Sequence, residues 1–349
     1  MKVLSIPVTC HGHYRPISDI HYNSYDSDGF IILSASKDGT AIVRDGVTGD
    51  WIGSLLGHKG AVWCSKLSSD SKLAFTGSGD FTAKVWSLDD GQCLHTIPHK
   101  HIVRSLDISN DNSKLISADN QFHINLYDVN KLENVLMRKK IHDDIIRKLI
   151  FHENANLLFS ISDDGKMALV DLRAGTSDPQ IILSIANKLM DVTVDKYASE
   201  NLIQMSIAYA KNVEAILVDL KMPTKQHDVI SNLKLESEVN SIDVQEIFDL
   251  SNGKKESFIA CGCTSGEILT YKNWACPQNW KEDDIKANFK ECYKGHFGPV
   301  HKVKFSPQLK FKDFILSIIS SGSEDGTVRL WQTFPGSEFG LWKSIEKSI

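Results

Sequence analysis

A unit of about forty residues recurs along the chain, and no other feature constrains the fold as much. The copy SGSEDGTVRLW (321–331) aligns with SASKDGTAIVRD (34–45), TGSGDFTAKVWS (76–87) and SISDDGKMALVD (160–171). Weaker copies are SADNQFHINLYD (117–128), EAILVDL (214–220) and CGCTSGEILTYK (261–272). The aligned terminal positions are Arg44, Trp86, Tyr127, Val170, Val218, Tyr271 and Trp331, spaced 42, 41, 43, 48, 53 and 60 residues apart. Seven units fill the chain, the later ones carrying insertions.

Each unit reads as β-structure. Runs such as AVWCSKL, KLAFTGS and TAKVWSL are short, apolar or alternating, and bounded by turn residues. Asp38-Gly39 and Asp325-Gly326 are strong hairpin signals, because a two-residue turn with positive φ favours Asp or Asn followed by Gly. Glycine-histidine pairs open the clearest units at Gly12-His13, Gly57-His58 and Gly295-His296. With GH near the start and Trp near the end, the pattern resembles the WD-repeat family. The resemblance implies an all-β, seven-bladed propeller forming one domain over 1–349. The blades are expected at about 11–53, 54–97, 98–137, 138–184, 185–232, 233–292 and 293–345.

A serine, acids and a tryptophan within eleven residues also suggest a hydrolytic site or a metal loop. The family resemblance implies something else: the GH histidine, a Ser or Thr, the turn Asp and the Trp form a relay inside each blade. Here that assigns His58, Thr76, Asp80 and Trp86 to blade two, and His296, Ser321, Asp325 and Trp331 to blade seven. Blade one keeps His13, Ser34 and Asp38 but has Arg44 in place of Trp. Gln121 replaces the turn Asp in blade three, and blade five keeps almost nothing. A catalytic triad is a unique constellation, whereas this one recurs, which makes it architecture.

Other chemistry finds little support. His99-Lys100-His101 and Cys261-Gly262-Cys263 offer paired ligands but no third or fourth, so no metal is expected. The DDG at 163–165 lacks the remaining ligands of a calcium loop, and no phosphate-binding glycine motif occurs, so no cofactor is expected. The net charge of −5 and the absence of a dense basic run argue against direct nucleic-acid binding. Seven scattered cysteines without C-x-x-C fit reduced thiols and a cytosolic or nuclear setting. No signal peptide and no apolar run long enough to span a bilayer is evident, so no membrane association is expected. The reading is a non-enzyme.

The N-terminal VLSIPVT (3–9) precedes the first GH and is expected to supply the outer strand of blade seven, closing the ring. FGLWKSI (339–345) is expected to pack on that joint through Leu341 and Trp342, or else to serve as a partner hook. Insertions at 247–257, 273–284 and 307–313 fall in A–B and C–D connections, which share one face. They gather Trp274, Trp280, Phe311, Lys254, Lys255, Lys310 and Lys312 as a candidate partner-binding set, aromatics with basic residues being typical of hot spots. The opposite face carries Arg15, Phe81, Arg104 and Phe297 as a second candidate set, beside Lys37, Lys59, Lys100 and Arg147.

More specific segments narrow the resemblance. DGVTGDWIGSLLGHKGAVW (45–63), GDFTAKVW (79–86), HKHIV (99–103) and YKGHFGPVHKVKFSP (293–307) resemble the serine/threonine kinase receptor-associated (unr-interacting) family of WD-repeat proteins. Membership implies a non-catalytic adaptor in the survival-of-motor-neuron complex, which loads Sm proteins onto spliceosomal small nuclear RNAs in the cytoplasm. The implied partners are survival-of-motor-neuron and Gemin-like subunits, with kinases or Smad-like proteins in a signalling role, and RNA only indirectly. A monomer outside its complex is expected. The alternatives are the i subunit of translation initiation factor three, which shares GHFGPV-like and GxEDGxVR-like segments, and a substrate-recognition scaffold.

Overall fold

Short segments with one apolar face, joined by tight turns, pair antiparallel and must bury that face against a neighbour. The computed structural model describes residues 7–24, 29–152, 156–173, 179–199, 201–224, 228–249, 254–274, 288–310 and 315–332. Their strands form seven four-stranded antiparallel sheets and one two-stranded ribbon. These sheets are the blades of a β-propeller. The first strand of each blade, strand A, lies innermost: Ile17–Ser24, Val62–Leu67, Val103–Ile108, Ile146–Phe151, Leu189–Ser199, Val239–Asp249 and Val300–Phe305.

Blade seven takes its outer strand from the start of the chain. Val8–Cys10 pairs with Val328–Gln332 in the register Val8↔Leu330, Thr9↔Arg329 and Cys10↔Val328. The expected 3–9 closure thus appears over 8–10; residues 1–6 and the 339–345 segment lie outside the described residues. The buried apolar side chains form seven clusters, one at each blade junction. Packing blade on blade is what closes the core, since a single four-stranded sheet cannot cover its own faces.

The inner strands are also tied together by hydrogen bonds. Asp19 accepts from the Ser65 amide at 2.9 Å, Asp107 from Phe151 at 2.8 Å and Asp243 from Phe305 at 2.8 Å. Each blade's strand A carries a bulge at its second residue, where the register skips from one partner to the next. The skipped residues are Ser18, Trp63, Arg104, Arg147, Met190, Asn240 and His301. A bulge leaves one residue unpaired and re-aims its side chain. Seven bulges at one level ring the channel mouth.

One insertion differs from its expected form. Residues 247–257 continue strands A and B of blade six as a long hairpin, with pairing up to Asp249↔Lys254. Two antiparallel strands satisfy each other's backbone groups as long as they stay paired, so the extra residues lengthen the hairpin. In blade seven, Leu309–Lys310 pairs with Ile315–Leu316 as the small ribbon.

Candidate functional site

In blade two, His58 Nδ1 lies 2.8 Å from Asp80 Oδ2 and Nε2 lies 2.7 Å from Thr76 Oγ1. Trp86 Nε1 donates to the same Thr76 oxygen at 2.8 Å. Indole N–H is only a donor, so Thr76 accepts from Trp86 and donates to His58 Nε2. The proton of the neutral ring then sits on Nδ1 and goes to Asp80. Blade seven repeats this: His296 to Asp325 at 2.8 Å, Ser321 to His296 at 2.6 Å, and Trp331 to Ser321 at 2.8 Å. Blade one has His13 to Asp38 at 2.8 Å and Ser34 to His13 at 3.0 Å. There the buried Arg44 donates instead to the carbonyls of Gly49, at 3.3 Å, and His11.

Burial lowers the pKa of His58, outweighing the pull of Asp80 in the other direction. Burial alone would raise Asp80, but hydrogen bonds from Thr82, the Lys59 amide and His58 hold it at about 2. The pair is therefore a neutral imidazole against a carboxylate. Such a satisfied network fixes strand register; it has no open position for a reacting group.

Blade four carries a relay that the sequence reading did not assign. His142 Nδ1 lies 3.0 Å from Asp164 Oδ2, and Nε2 lies 2.8 Å from Ser160 Oγ. Its signal was spacing: histidine to hydroxyl is 18 residues here, as in blade two, although Ile141 replaces the usual glycine. In blade three His99 bonds Ser117 at 2.7 Å and the Ile97 carbonyl at 3.1 Å, so no carboxylate is needed.

Trp274 is not part of an exposed set. It is fully buried, at 0% exposure, in the cluster between blades five and six, and its Nε1 donates to Ser206 Oγ at 2.6 Å. In that cluster the indole packs with Ala208, Val213, Ala215, Leu233 and Leu235 of blade five. This corrects the partner-binding assignment of Trp274. Trp280, Phe311 and Lys312 lie outside the described residues, while Lys254, Lys255 and Lys310 lie in strands. The expected hot spot on that face is therefore not assembled around Trp274.

The opposite face holds the other set. Phe297 is 93% exposed, and Arg15 is exposed beside it in the chain order of the loops entering blades seven and one. Phe81 is 45% exposed, with its ring 5.2 Å from that of His101. The Arg104 guanidinium lies over the Trp63 indole, its carbon 3.9 Å from the ring centroid. Below this stack the channel opens into a cavity of about 80 Å³ lined by Trp63, Arg104, Arg147, Lys66, Lys148 and Lys302 among others. No group of three or more potential metal ligands occurs among the described residues.

Known proteins share these features. A WD domain, G-beta repeat model matches residues 5–45, 49–87, 91–128 and 288–332. Over 348 residues the chain is 33% identical to the human serine-threonine kinase receptor-associated protein, covering 99% of this chain and 87% of that one. The chain belongs to the serine-threonine kinase receptor-associated protein family. The Dictyostelium discoideum member is 30% identical over 329 residues, covering 93% of this chain and 98% of its own. The Drosophila melanogaster translation initiation factor 3 subunit I is 27% identical over 351 residues, covering 95% and 98%.

Within this family the repeat model leaves 129–287 unmatched, yet that stretch contains two complete four-stranded sheets and the three inner strands of a third. The reason is chemical. Blades five and six have lost the relay letters, and blade four has lost both the Gly of GH and the Trp. Their sheets stand on packing: Phe159, Ile161, Met167 and Leu169 of blade four meet Leu189, Val192 and Met205 of blade five.

Proposed function

We propose that this protein is a non-catalytic interaction scaffold, an adaptor that assists Sm-core assembly on spliceosomal small nuclear RNAs within a survival-of-motor-neuron-type complex. Whole-chain similarity to the serine-threonine kinase receptor-associated proteins carries this reading, at 33% identity against 27% for the initiation-factor subunit. The polar constellations support the non-catalytic part. Each His–Ser/Thr–Asp set is repeated, and its histidine is almost fully enclosed, with side-chain exposure of 0% or 1% in blades one, two, four and seven. The partners we propose are survival-of-motor-neuron and Gemin-like subunits, with kinases or Smad-like proteins secondary. RNA is contacted indirectly, the protein is a monomer outside its complex, and its place is the cytoplasm and also the nucleus.

Affinity purification from native lysate at moderate salt, with partners identified by mass spectrometry, tests this reading. Sm proteins with survival-of-motor-neuron or Gemin-like subunits are expected. Recovery of the core of translation initiation factor three would instead assign the chain to that assembly, the second reading that the 27% identity keeps in view.

A further inference from the structure

The channel mouth contains an unbalanced charge. Six cations line the cavity: Lys66, Arg104, Arg147, Lys148, Lys302 and Lys304. Five of them have a carboxylate within 4 Å. Lys66 pairs with Asp107, Arg147 with Asp163, Lys148 with Asp191, Lys302 with Asp19, and Lys304 with Asp243. Arg104 alone makes no hydrogen bond or ion pair among the described residues. Its contact is the Trp63 indole, and both are bulge residues of strand A in neighbouring blades. Burial pulls the Arg104 guanidinium down from its ordinary value and neighbouring Arg147 adds to the effect, while Asp163, itself bonded to Arg147, acts the other way without reversing it. A stacked guanidinium is pre-organised, and its free edge presents donors in a fixed fork suited to carboxylate.

A second observation lies next to it. At the B–C turn, blades one, four, six and seven place a glycine with φ between 76° and 89°. Blades two and three place Phe81 and Phe122 there, each at φ 67°. A bulky residue in the left-handed region is unfavourable and persists where something other than the turn requires it. Phe81 is exposed, stacked on His101, and borders Gly79, whose Cβ position is 3.4 Å from Trp63 Nε1. The exposed Phe81 ring thus stands two residues along the turn from the glycine that abuts Trp63, the ring on which Arg104 lies.

We propose that Trp63 and Arg104, with Phe81 and His101 beside them, form a docking site for an acidic segment of a partner protein, one carboxylate pairing with Arg104 and an apolar neighbour covering Phe81. This rests on the scaffold reading above and names the chemistry of the partner. An acidic peptide fits better than RNA, because a nucleic-acid backbone is held by many unneutralised cations and this channel supplies one.

The test uses the full chain and fluorescence anisotropy with a labelled peptide carrying several glutamates around one phenylalanine. The wild type binds it, and the glutamine version binds at least tenfold more weakly. Arg104→Gln and Arg104→Lys each weaken binding about tenfold, the lysine because it lacks the planar fork. Phe81→Gly weakens binding several-fold without lowering the melting temperature, which a structural role for the ring could not produce. Arg173→Gln, near the opposite face, changes nothing. Absence of wild-type binding, equal binding by Arg104→Gln, or displacement of the peptide by oligouridine overturns the proposal. In native lysate, a Phe81→Gly, Arg104→Gln double variant that keeps every wild-type partner overturns this site and leaves the scaffold reading standing. A wild type that retains no partner removes both.

Discussion

Trp274 Nε1 donates to Ser206 Oγ at 2.6 Å across the junction of blades five and six, and Ser206 in turn donates to Asp195 Oδ2 at 2.7 Å. The junction without histidine relays has built a polar chain of its own from two different blades. A buried indole contributes both apolar area and one satisfied donor.

Trp274→Ala is therefore expected to destabilise the fold by about 3–5 kcal/mol through the cavity it leaves. Trp274→Phe keeps most of the volume but strips Ser206 of its donor, costing about 1–3 kcal/mol. Urea denaturation of both variants measures the difference. Equal losses for Phe and Ala would mean the hydrogen bond is immaterial, and no loss would mean the indole is not buried.

Thr76 serves two partners at once, accepting from Trp86 and donating to His58. Thr76→Val preserves shape and leaves both ring nitrogens without a partner in a buried site. The expected cost is about 2 kcal/mol or more, while Thr76→Ser stays close to wild type. Thermal unfolding of the two variants side by side decides it.

Acid should loosen the propeller before any carboxylate is protonated. Burial lowers the pKa of His13, His58, His99, His142 and His296 below the usual 6.5. A group whose folded pKa is depressed favours the folded state above its unfolded pKa, and that advantage is lost as pH falls. Stability is thus full above about pH 6.5 and declines below it as the unfolded chain takes up protons first. A second decline follows below the unfolded Asp value of 3.8, because Asp80 is held at about 2. Melting temperatures from pH 7.5 to 5 test the first step; a flat profile would rule it out.

Ring closure depends on a three-residue strand and a close approach. Val8–Cys10 covers the edge of blade seven, and a Cβ on Gly322 would lie 2.4 Å from Ile17 Cγ2 of blade one. Deleting residues 1–10 exposes that edge and should lower the melting temperature by many degrees. Gly322→Ala must push the blades apart and should cost about 1–3 kcal/mol. Calorimetry reads both effects, and an unchanged transition in the deletion would mean the strand does not close the ring.

The repeat, the β-character of each unit and the relays of blades one, two and seven were legible because all three are local. Strand alternation decides which residues share a face, so histidine, hydroxyl and acid at fixed spacings must meet wherever a blade forms. The strand that closes blade seven was legible too, from a leftover segment before the first unit. Tertiary structure decided the rest. Trp274 reads as an aromatic in a loop insertion; its partner Ser206 lies 68 residues away on another blade, and no spacing encodes that contact. Arg104 reads as one more basic residue near a loop. Its unpaired state follows from how five aspartates from several blades divide among six cations, a choice made only when the inner strands come together around one channel.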